Sequence, residues 1–345
     1  MKTKFVTFGE IMLRLKSQRF ERLLQTPILE ATFGGGEANV AVSLANYGFD
    51  AKYVTALPDN DIANACLREL RGFGVDVSDV VISDGRVGIY FLESGAVQRP
   101  SKVIYDRANS SIATVNPSSF IWAKIFEGAK WLHISGITPA ISESAAEASI
   151  ACVKAAKEYG VMVSCDLNFR KNLWKWGKAS SEVMPEIVKY TDVIIANEED
   201  VQKALGIASE SAHEVESGEL NVELYKNIAQ LVLEQYPNVS KIAITLRESK
   251  SASHNDWAAC IYNGKDFYIS RKYSITDIVD RVGGGDSFCA GLIYGLNTYG
   301  DDKQALEYAV AASCLKHTID GDYNRVSVKE VEALMKGSGS GRVQR

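Results

Sequence analysis

The sequence predicts an α/β fold, with a mainly parallel central sheet flanked by helices and a small β element beside it. Three observations carry this expectation. Apolar strand-like runs alternate with amphipathic helical ones along most of the chain, the pattern that lays helices over a parallel sheet. Two glycine clusters, Gly34-Gly35-Gly36 and Gly283-Gly284-Gly285, each run directly into a helical pattern. Two extended segments, about residues 13–33 and 86–112, mix polar and apolar residues and interrupt the alternation.

Taken in order, a first strand is expected over Phe5–Leu15, then a helix over Ala38–Tyr47 behind the first glycine cluster. Strand Lys52–Leu57 and helix Ile62–Phe73 follow. Within 86–112, the runs Val87–Leu92 and Lys102–Arg107 read as strands apart from the main sheet, suited to a lid or an oligomer interface. The alternation resumes with strands Trp131–Ser135, Val161–Leu167, Val193–Ala196, Lys241–Leu246 and Ala258–Ile261. Helices are expected over Ser144–Tyr159, Val222–Gln235 and Gln304–His317. The polar stretch Ser209–Glu219 reads as a surface loop, and the Gly/Ser-rich residues 337–345 as a flexible tail. The division that follows is an α/β core of 1–12, 34–85 and 113–336, with a discontinuous lid of 13–33 and 86–112. Ligands of such folds collect at the carboxyl ends of the strands.

Composition narrows the function. A chain of 345 residues with net charge −5 disfavours nonspecific binding to nucleic acid or to an anionic membrane. No apolar run of about 18 residues is present to cross a bilayer. The start Met1-Lys2-Thr3-Lys4-Phe5-Val6 enters a strand pattern that contains Glu10 and Arg14, unlike a secretory leader. Six cysteines are scattered through apolar runs without a C-x-x-C pair, and only four histidines occur. A structural zinc site is therefore not expected, and buried free thiols in a reducing cytoplasm are.

The most informative stretch is Asp280-Arg281-Val282-Gly283-Gly284-Gly285-Asp286-Ser287-Phe288. Phe288, Leu292, Ile293 and Leu296 then repeat at helical spacing. The glycines thus feed a helix N-terminus, whose free N–H groups and positive dipole end suit a phosphate. A carboxylate repels the anion such a site attracts. Its presence at Asp286 is explained if it takes a proton from a nucleophile attacking a phosphoryl group, though an ordinary helix cap has the same local pattern. At the first cluster, Asn39 falls in the first helical turn. There it either positions a ligand hydroxyl or is a polar residue of a strand–helix turn.

Together the two clusters, G-G-x-x-x-N at 34–39 and D-x-x-G-x-G-D at 280–286, are similar to the two signatures of the ribokinase-like, phosphofructokinase B family of sugar kinases. The resemblance spans about residues 3–336. Within that family the chain looks most like the kinases of 2-keto-3-deoxygluconate, through Gly9–Arg14, Gln98–Ala108, His133–Pro139 and Asp166-Leu167-Asn168-Phe169-Arg170. The resemblance implies a Rossmann-like ribokinase core with a β-sheet lid, using ATP and Mg²⁺. The reaction implied is transfer of phosphate to the C6 hydroxyl of 2-keto-3-deoxy-D-gluconate, giving the 6-phosphate. A fructokinase or ribokinase acting on a neutral sugar, or a catalytically silent sugar-binding relative, are the competing readings.

The resemblance also implies roles. Asp286 is the general base, with N–H groups around Gly283, Gly284 and Gly285 holding charge on the transferred group. Gly34, Asn39, Tyr90, Tyr105, Arg107 and Arg170 contact the substrate. A sugar acid carries a carboxylate that a guanidinium can clamp, which favours it over a neutral sugar. Asn197 and Thr245, with Gly283 and Gly285, contact the nucleotide, and Asp200 acts on Mg²⁺ through water. Three departures from the family pattern stand out: Arg281 where Thr is usual, Gly284 where Ala is usual, and Thr245-Leu246-Arg247-Glu248-Ser249 where a glycine-bearing loop is usual. His133 and Trp122, Trp131, Trp174, Trp176 and Trp257 are expected to be packing residues. A homo-oligomer formed through the lid is also expected.

Overall fold

The structure, a computed structural model, describes residues 4–207 and 222–337. The stretch 209–219 and the tail from 338 onward lie outside the described residues. The strands run in chain order β1 (Lys4–Phe8), β2 (Met12–Ser17), β3 (Leu29–Gly34), β4 (Asp50–Val54), β5 (Ala56–Leu57), β6 (Val81–Ile82), β7 (Gly88–Glu93), β8 (Lys102–Asp106), β9 (Ala129–Ser135), β10 (Met162–Asp166), β11 (Val193–Asn197), β12 (Lys241–Ser251), β13 (His254–Tyr262), β14 (Phe267–Ile269) and β15 (Tyr273–Ile275).

The main sheet has the order β14-β13-β12-β11-β10-β9-β1-β4, with β15 also on β13. From β4 to β12 every pairing is parallel, and β13, β14 and β15 add antiparallel pairings at one end. Parallel strands buried on both faces need apolar residues on both, and strand alternation divides them. On β11, Ile194 and Ala196 enter one core while Val193 and Ile195 enter the other. The second core holds the helices Gly284–Thr298 and Asp302–Lys316, packed on each other and on the helix Gly36–Asn46.

A separate four-stranded sheet has the order β3-β2-β7-β8 and is built from the two segments that interrupt the alternation. The expected single strand Phe5–Leu15 is two strands in two sheets. β1 pairs in the main sheet and β2 in the small one, with Gly9-Glu10-Ile11 between. The break falls where a Cβ on Gly9 would collide with the Glu37 carboxyl group. Gly9-Glu10 interrupts the apolar run at this point, and a glycine inside a strand pattern marks a bend or close approach. Lys52–Leu57 divides likewise, β4 joining the main sheet and β5 pairing with β6.

The five expected helices form, four with ends shifted by one or two residues and Val222–Gln235 as expected. The helices Ser180–Val188, Glu198–Leu205 and Val328–Met335 were not among the expectations. His133 is buried as expected, with Nδ1 at 2.9 Å from Ser164 Oγ, and burial pushes its pKa down to about 3. All six cysteines are free thiols.

Candidate active site

A cavity of about 550 Å³ opens between the carboxyl ends of the parallel strands and the four-stranded sheet. Of the residues the sequence singles out, Asp286, Gly283, Gly285, Gly34, Asn39, Tyr90, Tyr105, Arg107, Arg170, Asn197, Thr245 and Asp200 all line it. The loop joining β7 and β8 also touches the β12–β13 hairpin beside the cavity, where Ala252 N donates to Val97 O at 2.7 Å.

The second glycine turn shows why glycine is required. Gly283 caps the helix Gly284–Thr298 with φ 80°, a left-handed conformation costly for other residues. A Cβ there would also strike the Asp322 carbonyl oxygen. Gly285 is exposed with open space around it, so the first turn of the helix faces the cavity. Gly284 corrects the expectation. It does not line the cavity, its N–H points back to Arg281 O at 3.4 Å, and a Cβ would press on His317. Only two of the three glycines present themselves to a ligand.

Asp286 is half-buried in the first turn of that helix. Burial pushes its pKa up to about 6, opposed by a hydrogen bond from Asn39. Asn39 Nδ2 donates to Asp286 Oδ2 at 2.6 Å, and Asn39 Oδ1 accepts from Gly35 N at 3.3 Å. Both ends of the Asn39 carboxamide are therefore engaged within the protein, and its contact is the candidate base itself.

Tyr90 departs from expectation in a similar way. It is buried, and its hydroxyl donates to Asp322 Oδ1 at 2.6 Å. Asp322 is also paired with Arg14, whose other amino group binds Asp280. The phenol of Tyr90 thus joins a buried ionic network instead of pointing a free hydroxyl at the cavity. Its ring lies 6.2 Å from that of Tyr105, which is exposed on β8.

The two arginines differ. Arg107 is buried, ion-paired with Glu10, and 5.3 Å from the Tyr105 ring centre. Arg170 is exposed at the mouth, with a 3.5 Å contact to Phe169 O. Arg170 lies close enough to Asp166 and Asp286 to favour ionisation of both.

Asp166 ends β10 and is held well above the usual carboxylate pKa by burial, then by the charges of Asp200 and Asp286. Asp200 has both carboxylate oxygens occupied, accepting from Phe169 N at 2.9 Å and Asn197 N at 3.0 Å. Asn197 in turn caps the helix Glu198–Leu205, accepting from Glu199 N and Asp200 N. This is a reciprocal capping box, so Asp200 has a clear structural role and could reach a cation only through water. Among the described residues no three His, Cys, Asp or Glu gather as a metal cage. Thr245 is paired in register with Asn197 across β11 and β12, and its hydroxyl lies 3.4 Å from Ala196 O.

Several cavity residues were not singled out from the sequence. Glu37 follows the first glycine cluster and is buried. Its Oε1 accepts from Ser135 N at 3.1 Å, Ser135 Oγ at 2.8 Å and Thr138 Oγ1 at 2.9 Å. Burial pushes its pKa up to about 7 despite those bonds. Its place beside Gly36 was the available signal. Asp322 had none, since it comes from a loop far along the chain. Trp257 is buried as a packing residue and also lines the cavity.

The sequence pattern of the pfkB family carbohydrate kinases matches residues 2–327. A 2-dehydro-3-deoxygalactonokinase of Haloferax volcanii is 31% identical over 344 residues, covering 99% of each chain. A 2-dehydro-3-deoxygluconokinase of Thermoproteus tenax is 28% identical, covering 96% of this chain and 94% of that one. The crystal structure of a 2-dehydro-3-deoxygluconokinase of Thermotoga maritima superposes with a TM-score of 0.91 at 46% identity, over 97% of this chain and 100% of that one. With the glycine turns, the Asp286 carboxylate and the small sheet gathered at one cavity, the chain belongs to the pfkB family of carbohydrate kinases.

Proposed function

We propose that this kinase transfers a phosphoryl group from ATP to the C6 hydroxyl of 2-keto-3-deoxy-D-gluconate, an alcohol-group phosphotransfer. The observation that carries the reading is the meeting, in one cavity, of Asp286 at an open helix N-terminus with Arg107 and Arg170. A sugar hydroxyl at Asp286 would lose its proton to the carboxylate as it attacks phosphorus. The N–H groups of Gly283 and Gly285 would hold the charge that develops. The acid end of the substrate would lie against guanidinium, with Gly34, Tyr105 and the Tyr90 ring as walls. The four-stranded sheet would cover the sugar, keeping water from the phosphoryl group.

Mg²⁺, which neutralises phosphate charge when bound with ATP, suits this site as a hydrated ion. Asp166 and Asp200 line the cavity, where they would meet such an ion through its waters rather than as direct ligands. Asn197 and Thr245 would adjoin the nucleotide. The exposed apolar residues Val103, Ile104 and Tyr105 on the edge strand β8 support self-association through the small sheet. Sedimentation equilibrium tests it, a monomer at micromolar concentration being the adverse result.

The deciding experiment is a coupled ADP-release assay with ATP and Mg²⁺, offering 2-keto-3-deoxygluconate, its galactonate epimer, gluconate, fructose and ribose. Preference for the keto-deoxy acids supports the reading, and preference for fructose or ribose overturns it. The Haloferax relative, named for the galactonate acid, gives the epimer a specific claim. The Thermotoga structure, at higher identity, favours the gluconate acid.

A further inference from the structure

Two guanidiniums stand in the cavity wall beside the glycine turn without a carboxylate partner. Arg281 lies two residues before Gly283, and Arg247 lies on β12 two residues beyond Thr245, on the same face of the strand. Among the described residues neither belongs to an ion pair within 4.0 Å. Asp280, the carboxylate next to Arg281, is bound by Arg14. Arg281 is half-buried and anchored through Nη2 to the hairpin tip, at 2.7 Å from Ala252 O and 3.2 Å from Ser251 O. Burial, and then the nearby Arg247 charge, push its pKa down. His317 adds no third charge there, since burial holds its pKa at about 4.

Arg247 is exposed and Arg281 half-buried, so both can reach into the cavity, and two like charges this near each other favour an anion of more than one charge between them. The β12 backbone beside Arg247 offers fewer anion contacts than a loop would. A glycine-bearing loop at 245–249 would offer free N–H groups, but β12 here continues to Ser251. Leu246, Arg247 and Glu248 lie opposite Ala258, Trp257 and Asp256 in the β13 ladder. Side chains are then the available donors, and the guanidinium fork fits phosphate oxygens in pairs.

We propose that Arg247 and Arg281 form a two-armed clamp for the polyphosphate of the nucleotide, in the place of a glycine loop. This rests on the kinase reading above for its nucleotide, and on the arginines alone for its anion. Arg281 also joins the phosphate end of the cavity to the hairpin tip that touches the β7–β8 loop at Val97.

The test is calorimetric binding of ATP, adenosine and inorganic tripolyphosphate to the wild-type chain, Arg247→Met, Arg281→Lys and Arg281→Met, without sugar acid. Arg247→Met is expected to weaken ATP and tripolyphosphate by about tenfold to a hundredfold and to leave adenosine within about twofold. Arg281→Met should do the same, and Arg281→Lys should recover only part of the loss. The losses should shrink as salt is raised. Phosphate affinities unchanged in both Met variants, or adenosine weakened as much as ATP, would overturn the clamp. Loss of tripolyphosphate binding in a chain that phosphorylates none of the sugar acids would keep the clamp and reject the substrate. Wild-type KM for ATP during sugar-acid turnover by Arg247→Met would do the reverse.

Discussion

The Asn39 carboxamide donates from Nδ2 to Asp286 Oδ2 at 2.6 Å, tying the first glycine turn to the second across 247 residues of chain. The bond fixes the carboxylate and favours its ionised form. Burial in the cavity pulls the other way and prevails, leaving the pKa at about 6. A base with a pKa near the working pH combines a useful ionised fraction with real basicity.

Asp286→Asn should fold normally and lose about 10² to 10⁴ in kcat, the worth of a positioned general base. Turnover within a few-fold of wild type would remove the assignment. A carboxylate base acts when ionised, so the wild-type rate should fall as pH drops through about 6. Asn39→Ala removes the bond that lowers the Asp286 pKa, so the acid limb of the kcat/KM profile should move to higher pH. An unmoved limb would mean that another group sets it.

Glu37 should make stability depend on pH. Its pKa rises from the usual 4.5 to about 7 in the folded chain, chiefly through burial. The folded state then holds a proton that the unfolded state releases between those values, so stability is greatest below about 4.5 and is lost as pH rises toward 7. Glu37→Gln keeps an acceptor for Ser135 and Thr138 without the charge. It should be more stable than wild type at pH 8, by roughly 1–3 kcal/mol, and no more stable at pH 4. Denaturant melts at the two pH values check this.

Arg14 holds two buried carboxylates, Asp280 and Asp322. Removing one partner of a buried ionic group strands the others, at a cost of about 3–5 kcal/mol. Arg14→Met should lose that much in urea unfolding. A loss below about 1 kcal/mol would show that the network is dispensable. Asp322 also accepts from Tyr90, so Tyr90→Phe in the same assay reports on the network from the lid side.

Arg170→Ala should raise KM for a keto-deoxy sugar acid by about tenfold or more, as expected for a lost charge-assisted contact. KM for a neutral sugar should change little. Equal changes for both would remove the carboxylate role from this exposed guanidinium.

What was legible in the sequence follows from how local each signal is. The glycine turns, the helix behind Asp286 and the alternating core strands depend on backbone conformation and period, which neighbouring residues set. The strand break at Gly9–Ile11 was legible only as Gly9-Glu10 within an apolar run; what requires glycine there, the Glu37 carboxyl group against Gly9, lies on another element. Arg247 was legible as a departure from a family pattern, but its lack of a counterion was not.

The sequence by itself determined the α/β class, the two helix N-termini at one ligand site and the residue types a phosphotransfer needs. Tertiary structure alone decided which of those groups are free to act. Asn39 is spent on Asp286, the Tyr90 hydroxyl on Asp322 and the Asp200 oxygens on backbone N–H groups, while Glu10 holds Arg107 in the cavity wall. The physical reason is that a polar side chain in a folded interior must find a partner. Partners are assigned by which distant segments pack together, and short-range pattern carries no record of that.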